Sequence, residues 1–133
     1  KETLVEKVTF KNLIQASRCL VLVDGYYEWK REEKNKIPYY FTKEDDELMF
    51  LAAIHQDNQF CIITREATEE ISKIHHREPL IINQSQINNY LNVKKNAMEI
   101  LNSIKPPKLK FHAIAKDVNN PINNDPSLIN KLN

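Results

Sequence analysis

Gly25 is the only glycine in the 133-residue chain. Glycine-rich phosphate loops and the dinucleotide fingerprint each need several glycines, because backbone must approach phosphate there without a Cβ in the way. Folds and functions built on such loops are therefore excluded. The apolar residues instead fall into short, strand-sized runs interleaved with single short helical patterns. No regular βαβ alternation and no internal repeat is visible, which favours an α+β fold over a parallel α/β one.

Along the chain, Val8 to Ala16 place Phe10, Leu13 and Ile14 on one helical face. A strand is expected at Cys19 to Val23 and another at Tyr26 to Trp29, with Asp24-Gly25 as a hairpin turn or a bulge between them. The mixed charges of Lys30 to Lys36 read as a solvated loop. Further strands are expected at Tyr39 to Thr42, Leu48 to Ile54 and Phe60 to Thr64, with Glu44 to Glu47 as a turn. Thr64 fits an N-cap, with Glu66 in the first turn of a helix reaching Ile74. Pro79 to Ile82 resumes a strand pattern, Ser85 caps a helix containing Ile87, Tyr90 and Leu91, and Val93 to Ile104 form another helix. Pro106-Pro107 break the chain before a last strand, Leu109 to Ala115. The tail from Asn119 to Asn133 is expected as loop plus one helical turn.

A chain of this length suits one compact domain, and its 41% hydrophobic and 28% charged residues are ordinary for a globular protein. No run of eighteen apolar residues exists to span a membrane, and the first residues are too polar for a secretory signal. The net charge of +1 supplies no global field toward nucleic acid, so any such binding needs a local groove. Cys19 and Cys61 lie in β-like apolar runs and read as buried, reduced thiols of a cytosolic protein. The chain starts at Lys1 without a Met, so it is read as a processed chain or an excerpt.

Two segments carry candidate chemistry. In Gly25-Tyr26-Tyr27-Glu28-Trp29, alternation puts Tyr26 and Glu28 on one face of a strand and Tyr27 and Trp29 on the other. A carboxylate shielded by aromatics has its pKa raised toward acid–base use; an edge-strand Glu in solvent or paired with Lys is the alternative. In Ile74-His75-His76-Arg77-Glu78-Pro79, histidines end a helical pattern just before a strand. They suit proton transfer near neutral pH, or simply a polar helix C-terminus. Adjacent histidines chelate one metal poorly, and no further His or Cys stands at ligand spacing, so no metal site is expected. His55 and His112 read as satisfied or surface histidines, and Trp29, Tyr39, Tyr40 and Phe41 as core before base-stacking platforms.

Taken in order, these motifs go further. Arg18-Cys19-Leu20-Val21, Asp24-Gly25-Tyr26-Tyr27-Glu28-Trp29-Lys30, Pro38-Tyr39-Tyr40, Ile74-His75-His76-Arg77-Glu78-Pro79-Leu80, Phe111-His112-Ala113-Ile114 and Val118-Asn119-Asn120 with Asn123-Asn124-Asp125 closely resemble the SOS response-associated peptidase (SRAP) family. The likeness runs through nearly the whole chain. It implies an α+β domain of mixed or antiparallel twisted sheets around a barrel-like core, with a few short helices.

The resemblance also implies a function. Family members begin with a cysteine whose amine and thiol attack the ring-opened aldehyde of an abasic site, giving a thiazolidine crosslink to single-stranded DNA. The catalytic glutamate of the family's motif falls on Glu28 and its catalytic histidine on His75. Trp29, Arg77 and Thr64 become candidate DNA contacts. The partner implied is single-stranded DNA with abasic sites, bound by a cytoplasmic, nucleoid-associated monomer without cofactor, nucleotide or membrane contact. Autoproteolysis would use the same cluster. His76 and Glu78 occupy positions the family varies and are read as non-catalytic, and Val23 replaces a small residue. The leading cysteine and the family's Asn-Ala-Arg segment are missing before Glu2-Thr3, so the chain reads as a single domain lacking its N-terminal segment. By itself it is expected to form no adduct. A peptidase acting on other proteins and a non-enzymatic DNA-binding module are the competing readings.

Overall fold

The computed structural model describes residues 4–132, with side chains from Phe10 onward; what the sequence implies for Lys1 to Thr3 lies outside them. The described elements are helix α1 (Leu4–Ala16), strands β1 (Arg18–Val23), β2 (Tyr26–Glu32), β3 (Asn35–Lys43), β4 (Met49–Gln56), β5 (Gln59–Ile62), β6 (Thr64–Glu66) and β7 (Arg77–Pro79), helices α2 (Ile87–Leu91) and α3 (Ala97–Ser103), and strand β8 (Leu109–Ala113). The strands form three sheets, in the orders β1-β4-β5, β2-β3-β8 and β6-β7. The α+β class stands. Among the described residues the ladders do not close on one another, so the sheets are open and no closed barrel forms.

The chain divides into two compact units. One comprises residues up to Leu22, Met49–Thr64 and Pro79–Pro107. Its core packs Ile14, Ala52, Ile54, Ile63, Leu80, Ile82, Tyr90, Ala97, Ile100, Leu101 and Ile104, with Phe10 and Leu13 of the expected α1 face against it. Tyr90 is fully buried, and its hydroxyl donates to Ala53 O (2.8 Å) while accepting Ala53 N–H (3.1 Å). Arg18, also buried, ties the end of α1 to the loop before α3 by donating to Ile14 O (3.0 Å) and Asn92 O (2.5 Å).

The other unit comprises Val23–Leu48, Arg65–Glu78 and Lys108–Asn133. Its β2-β3-β8 sheet is antiparallel throughout, with Glu28 opposite Tyr39 and Phe41 opposite both Tyr26 and Phe111. Tyr26 and Phe41 stack with centroids 4.9 Å apart and planes 5° from parallel, across the β2–β3 pair.

Several local expectations are corrected. Lys30 to Lys36 is no loop: it is the end of the β2–β3 hairpin, turning at Glu33 with φ 51°. Asp24-Gly25 is neither hairpin nor bulge, because β1 and β2 belong to different sheets. Gly25 does not have a positive φ; a Cβ there would lie 2.2 Å from the Tyr40 hydroxyl, so glycine is required for space. Positive φ falls instead on Glu33, Asp46, Asp57 and Asn58, the last two forming the β4–β5 turn.

The helix expected from Thr64 to Ile74 is replaced by β6 and a single 3-10 turn, Ile71–Lys73. Ala67 N–H donates to His76 O (3.0 Å) and Thr68 N–H to the buried Glu78 carboxylate (2.6 Å), so these donors are used by the strand that follows and not by a helix. Thr64 is accordingly no N-cap. Ser85 lies inside a 3-10 turn, Gln84–Gln86, and caps nothing. The helix expected from Val93 shortens to α3, whose N-cap is Asn96 accepting Glu99 N–H (3.0 Å). The tail from Asn119 is loop plus one 3-10 turn, Pro126–Ile129, as expected, and another 3-10 turn, Lys116–Asn119, leads into it. Cys19 is half-buried, with burial pushing its thiol pKa up, but Cys61 is exposed on the edge strand β5; both are free thiols.

Candidate functional site

Glu28 and Trp29 sit side by side on β2, held in register by β3 through Tyr39 and Pro38. His75 arrives from a different part of the same unit. The 3-10 turn before it buries Ile71 and Ile74, and His75 N–H donates back to Ile71 O (3.1 Å). Two apolar anchors and one backbone bond therefore fix where the imidazole begins.

The Glu28 carboxylate (Oε2) lies 3.7 Å from His75 Nδ1. Both side chains are partly shielded, 26% and 32% exposed respectively. Nδ1 is also 3.2 Å from Arg77 N and 3.2 Å from Arg77 O. An unprotonated Nδ1 accepts from Arg77 N–H, whereas a protonated one donates to Arg77 O and faces the carboxylate. The site thus has a ready partner for either state of that nitrogen. His76 packs on the His75 ring at 4.6 Å between centroids.

Tyr26 lies on the Glu28 side of β2. Its hydroxyl is buried without a hydrogen-bond partner among the described residues, and its pKa is pushed well above that of a free phenol by burial, then by the charges of Glu78 and Glu28. On the opposite side, the rings of Tyr27 and Trp29 meet at 6.4 Å, as strand alternation requires.

Glu28, Trp29 and His75 line one open groove of about 1090 Å³. Lys30, Arg31, Lys36, Lys73 and Asn119 line it too. Four cationic side chains face one carboxylate, so the groove is locally basic although the chain is nearly neutral. Lys30 is partly offset by Glu32 at 3.1 Å. Arg31 and Lys36 stand directly opposite each other across β2 and β3.

Of the five residues singled out in sequence, the groove gathers three. Arg77 is exposed on β7 and Thr64 is exposed at the start of β6, and neither is among the groove's lining residues. Sequence reasoning missed Arg31, Lys36, Lys73 and Asn119. The first two were hidden in the supposed loop; seen as a hairpin, their opposition follows from the pleat. Among the described residues no cluster of His, Cys, Asp and Glu fits a metal ion, and no helix is long and apolar enough to cross a membrane.

Two relatives of this chain share one description. "Abasic site processing protein YoqW" of Bacillus subtilis is 30% identical over 96% of this chain and 63% of its own length. YedK of Escherichia coli, with the same description, is 30% identical over 96% of this chain and 64% of its own. A crystal structure of a Bacteroides thetaiotaomicron protein matches with a TM-score of 0.83 at 30% identity, covering 98% of this chain and 63% of that one. The chain therefore spans less than two thirds of the length of these relatives. Residues 1–121 match the SOS response associated peptidase family, SRAP, and the chain belongs to it.

Proposed function

We propose that this chain is the part of an abasic site processing protein that supplies the acid–base pair and the DNA groove. The observation that carries the reading is the Glu28–His75 contact, 3.7 Å apart on the wall of a basic groove that also holds Trp29. The names of the relatives support the substrate.

The nucleophile would be a cysteine at the N-terminus of the longer protein. Its amine condenses with the ring-opened aldehyde, and its thiol closes the thiazolidine with net loss of one water. Glu28 would take the proton from the terminal ammonium and return it to the leaving hydroxyl. His75 would move the proton that opens the sugar ring or reverses the crosslink. The same pair would serve autoproteolysis. Arg31, Lys36 and Lys73 line the groove as phosphate contacts for a single strand, and Trp29 offers a face for a base. Arg77 and Thr64, both exposed, are proposed as further DNA contacts.

A denaturing gel tests this. A protein carrying this chain behind an N-terminal cysteine should form a covalent band with single-stranded DNA containing one abasic site, and none with intact DNA. Glu28→Gln and His75→Ala should each slow band formation about 100-fold, the scale of a lost general acid or base. Parental rates in both variants would overturn the assignment. The 133-residue chain alone should give no band.

A further inference from the structure

The proposed function leaves one motif unused, the asparagine-rich stretch from Asn119 onward. Its side chains are mostly spent on the local backbone. Asn120 Oδ1 accepts Ile122 N–H (3.0 Å), Asn123 Nδ2 donates to Asp117 O (2.8 Å), and Asp125 accepts Ser127 N–H (3.0 Å). Asn119 is different. Its Oδ1 accepts the indole N–H of Trp29 at 2.7 Å, a bond between residues 90 apart in the chain. Both residues line the groove.

We infer that Asn119 is a positioning residue: it locks the Trp29 indole by its N–H edge so that the ring serves as a fixed platform for an unpaired base. The inference rests on the groove binding single-stranded DNA. An indole has a single donor, so one acceptor fixes the direction of the N–H edge. Tyr27, two residues earlier on the same face of β2, lies beside the ring at 6.4 Å between centroids. The turns around Asn119 are tied to their own backbone, which makes the acceptor a fixed point. A platform already held in place loses less side-chain freedom when a base stacks on it than a free one does. The asparagine-rich tail therefore acts as a rigid bracket for the aromatic wall of the groove.

Trp29 is the only tryptophan of the chain, so the chain's tryptophan fluorescence reports on the surroundings of this ring. Asn119→Leu removes the acceptor at similar size, and Asn119→Asp keeps it. In the free protein, Asn119→Leu should increase acrylamide quenching and lower the anisotropy of Trp29, and Asn119→Asp should restore both. With an oligothymidine added, quenching of Trp29 in the parent should saturate. Asn119→Leu should bind about fivefold more weakly, a fraction of one base's stacking. Urea unfolding of each variant, followed by circular dichroism, separates this from loss of fold. Parental anisotropy and affinity in a folded Asn119→Leu would overturn the inference while leaving the groove reading intact. If the parent's Trp29 is unmoved by the oligonucleotide, the groove reading itself fails and takes the inference with it.

Discussion

Two tyrosines illustrate how little a residue type says about its energetics. Tyr90 is fully buried, and its hydroxyl satisfies both backbone groups of Ala53. Tyr90→Phe strands that donor and acceptor in the core and should cost about 2–3 kcal/mol, measured by urea unfolding. Tyr26 has an equally shielded hydroxyl with no hydrogen-bond partner among the described residues. Tyr26→Phe removes an unpaid desolvation and should leave stability unchanged or raise it by about 1 kcal/mol. Gly25 is the third case. Gly25→Ala drives a Cβ to within 2.2 Å of the Tyr40 hydroxyl and 2.3 Å of its ring, and should destabilise by about 1–3 kcal/mol. Ala's lower backbone entropy in the unfolded state cannot offset a clash with a buried ring.

At the scale of elements, the β2–β3 hairpin does most to shape the groove. Like charges directly opposite in an antiparallel pair are unfavourable, yet Arg31 faces Lys36 where both line the groove. In the proposed DNA complex a backbone phosphate between them would relieve the repulsion. Replacing both with Gln should reduce the slope of log affinity against log salt for single-stranded DNA by about 0.7 per contact, roughly 1.4 in all. An unchanged slope would remove these residues from the DNA contacts. This hairpin was illegible in sequence because its turn lacks the Asn-Gly or Asp-Gly signal and uses Glu33 at φ 51° instead. The β4–β5 turn, by contrast, uses Asp57 and Asn58, residue types that accept such angles. The helix expected after Thr64 failed for a different reason. Its first donors are taken by His76 O and the Glu78 carboxylate, partners about ten residues away that no local pattern announces.

For the molecule as a whole, the buried phenols set the response to alkaline pH. Burial pushes Tyr90 up to about 12, and raises Tyr26 further and Tyr40 to a lesser degree. These groups are harder to ionise when folded than when unfolded. Their stabilisation is therefore complete below about pH 10, where the unfolded phenols titrate, and is lost as pH climbs toward the folded values. Tyr90 alone should account for about 2–3 kcal/mol lost between pH 10 and 12, and Tyr90→Phe should flatten that part of the curve. The check is urea unfolding repeated from pH 8 to 11.5, with the parent losing stability monotonically above pH 10.

The α+β class, the apolar face of α1 and the alternation that sets Tyr27 and Trp29 on one side of β2 and Glu28 on the other all followed from spacing and residue type. Strand alternation and helical periodicity are local rules, and they hold wherever the element itself is correctly recognised. The order of the motifs was equally legible, because it is a property of the chain and not of its packing. Tertiary structure alone decided that His75 meets Glu28, that Arg31 opposes Lys36, and that Asn119 holds Trp29. Each of these joins residues whose separation in sequence, up to 90 positions, carries no periodic signal. It also decided what the single glycine is for. Sequence marked Asp24-Gly25 as a hairpin turn or a bulge, while the fold needs Gly25 because a tyrosine from the adjacent strand occupies the space of a side chain.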